Sequence, residues 1–129
     1  MHTQNFCEYE FICHCGKCSH SFPHPSIVNE NLMIALQQAR NRLAAPIFIT
    51  SGRRCKKHNR EVGGEKNSYH LTGLAADVRA DNMIKLFEVL KSINAFHYIE
   101  PHDSYIHVDI GRKRNNRIND KRRGLNNDA

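Results

Sequence analysis

The sequence contains no tryptophan and no apolar run approaching the roughly 20 residues that a membrane span requires. Its first residues, Met1 to Glu10, lack a basic start followed by an apolar core, so no signal peptide is expected. No internal repeat and no low-complexity segment is present, which excludes solenoid and fibrous architectures. The cysteines number five, and the odd count excludes a fully paired disulfide framework. Without an export signal, free thiols or a metal site are the natural states for them. What remains is a chain of 129 residues with 40% hydrophobic content. That size suits one compact domain, able to bury about two-thirds of the surface it exposes when unfolded.

The formal net charge is +6. A basic balance favours polyanions, whether nucleic acid, anionic membrane or wall polymer. Much of the charge sits late, in Arg112, Lys113, Arg114, Arg117, Lys121, Arg122 and Arg123. That stretch has no interleaved aromatics on which bases would stack, so nucleic acid is not an expected partner. The composition after Gly111 reads as a basic, Asn-rich tail, with the folded core at about 8–111.

Hydrophobic periodicity places the elements. Asn29 or Asn31 caps a helix running to about Leu43, with Leu32, Leu36, Ala39 and Leu43 on one face. Pro46 ends it, and Ile47 to Thr50 reads as a short buried strand stopped by Ser51-Gly52. Residues 52–69 read as a long polar loop, and a loop of that length is usually functional or disordered. Leu74 to Val78 follows as a second strand. Asp81 caps a second helix to about Ile93, with Ile84, Phe87 and Leu90 inward. Phe96 to Ile99 and Tyr105 to Ile110 form two further strands joined around Pro101. The fold class is α+β: a small antiparallel sheet with two or three packed helices.

Two segments carry chemistry. In Ser68-Tyr69-His70-Leu71-Thr72-Gly73-Leu74-Ala75-Ala76-Asp77, small residues lead into a strand that ends in a carboxylate. Burying that carboxylate unpaired is expensive, and a metal ion would compensate it. In Tyr105-Ile106-His107-Val108-Asp109-Ile110, His107 and Asp109 alternate with apolar residues and so share one strand face. A lone histidine on a strand is usually structural. Together, however, His70, Asp77 and His107 make a tripod that leaves the fourth zinc position open for water, as a hydrolytic centre requires.

These segments resemble the D-alanyl-D-alanine carboxypeptidase family of zinc peptidases, peptidase family M15, in its small phage and bacterial type. The S-x-H-x-x-G-x-A-x-D pattern is met by Ser68, His70, Gly73, Ala75 and Asp77, and the closing H-V-D by His107, Val108 and Asp109. Ile49 to Cys55 is similar to the family's "SGYRC" stretch, with Arg53 where tyrosine is usual. His58-Asn59 and Val62-Gly63-Gly64 match its "HN..VGG", and Phe11 to Cys18 its cysteine-rich opening. The likeness covers roughly residues 8 to 111.

The resemblance implies a Hedgehog/DD-peptidase-like fold and a catalytic zinc held by His70, Asp77 and His107. It implies that Arg54 holds a substrate carboxylate or carbonyl, with support from Ser68, and that Asp109 orients a ligand imidazole through its other N–H. Many members carry a carboxylate three residues before the last zinc histidine, a position occupied here by Ser104. The carboxylates nearby are Glu100, the first choice as general base, and Asp103, the second, with His102 a third. The implied substrate is a peptidoglycan stem peptide, with a D-amino acid at the cut. The implied enzyme is a monomer that stays in the cytoplasm until released to the wall or periplasm. The alternative is a zinc-bearing module that binds wall peptide or protein without turnover. Cys13, Cys15, Cys18 and Cys55 offer four thiolates for a second, structural metal, although free buried thiols or a disulfide from Cys55 to one of the early group satisfy the same pattern.

Overall fold

The computed structural model describes residues 2–114. The first helix, α1 (Glu30–Leu43), begins where the Asn29 side chain accepts a hydrogen bond from the Asn31 N–H at 2.8 Å. Leu32, Leu36, Ala39 and Leu43 are all buried along one stripe, as their spacing predicts. The helix stops at Ala44, which turns into the left-handed region at φ 57° and donates its N–H to the Arg40 carbonyl. Pro46, with no N–H to continue the ladder, follows at once.

Four strands form one antiparallel sheet: β1 (Phe48–Ser51), β2 (Ala75–Arg79), β3 (Tyr98–Pro101) and β4 (Ile106–Asp109), in the order β1-β2-β4-β3. The α+β architecture expected from the sequence is therefore present. Register decides what each face does. Ala76 lies opposite Val108, which lies opposite Ile99, and Val78 lies opposite Ile106. These residues join the apolar core with α1 and the third helix, α3 (Met83–Lys91). One residue along, Asp77 lies opposite His107, and His107 opposite Glu100. Directly opposed residues share a face, so this row of polar side chains projects from the side away from the core. A slip of one residue would exchange the two sets.

Three sequence expectations need correction. Residues 52–69 are not one loop. They contain a short helix, α2 (Lys56–Glu61), and lead into a 3₁₀ turn, Tyr69–Thr72. The six residues of α2 have no apolar stripe, so periodicity carries no signal there. The turn of helix is held instead by the Cys55 sulfur, which accepts from the His58 N–H at 3.3 Å, and by buried Asn59. In α3, Ile84 does not face inward but is 80% exposed. Leu86, Val89 and Leu90 form the buried arc, and Ile84 lies roughly 200° round the helix from Leu86. The cap of this helix is Asn82, one residue after the expected Asp81, and it accepts from the Lys85 N–H at 3.0 Å.

Before α1 the chain is irregular apart from 3₁₀ turns at Glu8–Phe11 and Ser19–Ser21, and it is anchored by buried Phe6 and Phe11. Of the expected basic tail at 112–129, residues from 115 onward lie outside the described residues. No helix among the described residues is long and apolar enough to cross a membrane.

Candidate metal centre

The polar row of the sheet meets the 3₁₀ turn that precedes β2. Ser68 caps that turn, its hydroxyl accepting from the His70 N–H at 3.1 Å. Gly73 closes the turn at φ +76°, a conformation that favours glycine. A Cβ there would lie 2.6 Å from the Ile27 carbonyl oxygen, so glycine is required twice over. The turn drops the His70 ring, 2% exposed, beside Asp77 at 4%. His70 Nε2 lies 3.1 Å from Asp77 Oδ1, and His107 Nδ1 lies 3.3 Å from the same oxygen. The ring centroids of the two histidines are 5.2 Å apart. One ligand atom from each of the three residues falls within 4.8 Å of the other two.

The outer nitrogens of both rings are already committed. His70 Nδ1 is 2.7 Å from the Gly52 carbonyl oxygen, which can only accept, so Nδ1 carries the proton. His107 Nε2 is 2.7 Å from Asp109 Oδ2, a carboxylate oxygen, so that nitrogen donates as well. In the neutral rings this leaves two nitrogen lone pairs converging with a carboxylate oxygen. Three acceptors at that separation require a cation between them, either a proton or a metal ion. The donor set, two imidazoles and one carboxylate, is that of a divalent zinc-type centre with a position left open. The residues fit such an ion.

The electrostatics agree. Burial alone would lower the pKa of His107, but hydrogen bonds to Asp109 and Asp77 outweigh it and push the value up to about 9. Burial would raise Asp77, yet the hydrogen bonds from His107 and His70 hold its carboxyl well below the usual range. Asp109 is completely buried and is also lowered: burial opposes ionisation, and His107 and Arg114 overcome it. Arg114 grips Asp109 with both terminal nitrogens, at 2.7 and 3.2 Å, and stacks over the Tyr98 ring at 3.7 Å.

The other expected residues fall as follows. Arg54 is spent on the protein: Nη2 donates to Asp77 Oδ2 at 3.0 Å, Nη1 to Asn59 Oδ1 at 3.1 Å and Nε to Ser51 Oγ at 3.1 Å. It therefore braces the oxygen of Asp77 that faces away from the histidines. Arg54, Ser68 and Glu100 all line an open cleft of about 910 Å³ above the histidines. Glu100 sits next to His107 in register, with Oε1 3.2 Å from His102 Nε2, and the His102 ring stacks on Tyr105 at 4.5 Å. Asp103 is exposed in the turn after β3 and is not among the lining residues.

Three lining residues carried no sequence signal. Arg114 had been placed in the tail by composition. Tyr105 read only as a strand start; burial first, then the charges of Asp77 and Glu100, raise its pKa, so the phenol stays protonated. Tyr98 read as ordinary strand and forms the platform for Arg114. Asn59, which the His58-Asn59 motif did contain, positions Arg54 and donates to the Glu65 carbonyl at 2.8 Å.

A tripod of potential metal ligands at the floor of a cleft, with a carboxylate on its wall, is an arrangement that suits a metal-dependent hydrolase. A family model described as Peptidase M15 matches residues 4–109, and the chain belongs to that family. The family is one of metallopeptidases. No curated protein matches the chain.

Proposed function

We propose that the chain is a zinc-dependent peptidase that hydrolyses bacterial cell-wall stem peptides, as a D-alanyl-D-alanine carboxypeptidase or a related endopeptidase. The observation that carries this reading is the convergence of His70 Nε2, His107 Nδ1 and Asp77 Oδ1 at the floor of a peptide-sized cleft. Zinc, held by those three atoms, supplies Lewis acidity and a water whose pKa falls toward ~7.

The chain's own residues do the rest. Gly52 and Asp109 fix the two imidazoles by holding their outer N–H groups. Arg54 fixes Asp77. Glu100 accepts the proton of the attacking water and delivers it to the leaving amine, with His102 orienting its carboxylate. The Tyr105 phenol donates to the carbonyl oxygen as charge develops there. Arg112 lines the cleft and suits a peptide carboxylate, while Arg54 and Arg114 stay engaged on Asp77 and Asp109. The substrate is met at the wall or in the periplasm, after release from the cytoplasm.

The test is turnover of purified muropeptides by the zinc-loaded chain, with released D-alanine and internal cleavage products read separately. Glu100→Gln is expected to keep its zinc and lose roughly 10²–10⁴-fold in rate. Asp103→Asn is expected to change the rate little. Loss of activity in Asp103→Asn alone would move the general base to that residue. Binding without turnover by the zinc-loaded wild type would make the chain a wall-peptide binding module instead.

A further inference from the structure

We propose that Cys13, Cys15, Cys18 and Cys55 bind a second zinc ion through four thiolates, as a structural site independent of the His70, Asp77 and His107 centre. One sulfur from each of the four lies within 4.8 Å of all the others, and none is in a disulfide. Zinc–sulfur bonds of about 2.3 Å in a tetrahedron place sulfurs roughly 3.8 Å apart. Cys55 Sγ and Cys15 Sγ are 3.9 Å apart. The chain thus brings the donors to the spacing of a tetrathiolate, from cysteines 40 positions apart in sequence.

Polar hydrogens point at the sulfurs: the Ser21 hydroxyl and the Lys17 N–H lower the Cys15 thiol to about 6, while burial raises the Cys13 thiol, whose proton only a bound cation would displace. The Lys17 N–H points at Cys15 Sγ at 3.4 Å, the Cys55 N–H at Cys13 Sγ at 3.4 Å, and the His58 N–H at Cys55 Sγ at 3.3 Å. The Ser21 hydroxyl lies 3.4 Å from Cys15 Sγ and 3.5 Å from Cys18 Sγ. Four thiols surrender four protons to solvent as the ion enters, leaving the site with net negative charge. Arg53 feels the charges of Cys18 and Cys13, while its guanidinium donates to the Ser26 and Ile27 carbonyls at 3.0 and 3.2 Å.

The site is closed, with four protein ligands, so its role is to hold structure rather than to activate water. It ties the irregular segment 13–18 to the residue that caps α2 and directly follows Arg54. The same stretch carries Gly52, whose carbonyl holds His70. The second ion therefore fastens the loop that positions two parts of the metallopeptidase centre.

The experiment uses the full chain purified under reducing conditions with zinc. Elemental analysis is expected to find two zinc ions per chain in the wild type and one in His70→Ala. An organomercurial should release the remaining ion into a chromophoric chelator as the thiols are consumed. Cobalt substitution of the wild type should give an intense thiolate-to-cobalt charge-transfer band, a readout that needs no variant to fold. Any of three results overturns the proposal: a folded His70→Ala chain without zinc, a cobalt-loaded wild type without the band, or peptide mapping that joins Cys55 to Cys13, Cys15 or Cys18 by a disulfide in the freshly purified protein.

Discussion

Asp109 is a charged residue held with no exposed surface. It takes the His107 N–H on Oδ2, and uses both oxygens to meet Arg114. Replacing the carboxylate by an amide keeps the shape and removes the charge. Asn at this position also offers an N–H₂ toward a ring nitrogen that already carries a proton. The His107 tautomer then loses its support, and Arg114 faces a neutral partner. Asp109→Asn is expected to weaken zinc binding at the histidine centre by roughly 10–100-fold, read by competition with a chelating dye. A variant with unaltered affinity would show that the neighbouring strands alone orient His107. Gly52 makes the same point for His70. A Cβ there would lie 2.6 Å from Phe11 Cα, with backbone on both sides of the contact. Gly52→Ala is expected to cost about 1–3 kcal/mol in denaturant unfolding and to weaken zinc binding as well, because the carbonyl that holds His70 must move with the backbone.

At the scale of elements, legibility followed periodicity. Helix α1 announced itself through a capping asparagine, four apolar residues at helical spacing and a terminating proline, and its observed bounds agree. The strand bearing His107 and Asp109 was legible because alternation alone puts both on one face. Helix α2 was not, because it is held by a local sulfur cap from Cys55 and a buried Asn59, neither of which leaves an apolar pattern. The inward face of α3 was misjudged at Ile84 because three apolar positions at nearly helical spacing fit more than one face, and the contact with α1 chooses between them. The end of α1 exposes one local conflict. Ala44 holds φ 57°, where an L side chain crowds its own backbone. Ala44→Gly is expected to raise unfolding stability by roughly 1 kcal/mol, with no effect on metal content. A loss of stability on thermal melting would mean that the Ala44 methyl packs well enough to outweigh the strain.

For the whole molecule, the two protonation states of His107 link folding to metal binding. The metal triad was legible in sequence as residue types and order. The proton that stands in for a metal was not, since it depends on Asp77 and Asp109 closing on one ring from two directions. In the metal-free chain the folded pKa of His107 lies at about 9, above its ordinary 6.5. A raised folded pKa means that the protonated ring favours the folded state. The stabilisation is fully present below pH 6.5 and is lost as pH rises through about 9, at up to about 1.4 kcal/mol per pH unit. Zinc needs the same Nδ1 lone pair, so its affinity rises as that proton leaves. These are one linkage, a single proton released as the ion binds, so the difference grows by at most about 1.4 kcal/mol per pH unit. The gap in thermal stability between zinc-loaded and metal-free protein should therefore widen steadily from pH 6.5 to pH 9. Parallel melts of His70→Ala, which lacks this centre, supply the baseline for any contribution from the cysteines. A gap that stays constant across that range, after subtraction of the baseline, would show that His107 is already neutral in the metal-free fold, and that the three ligand atoms tolerate one another with no cation between them.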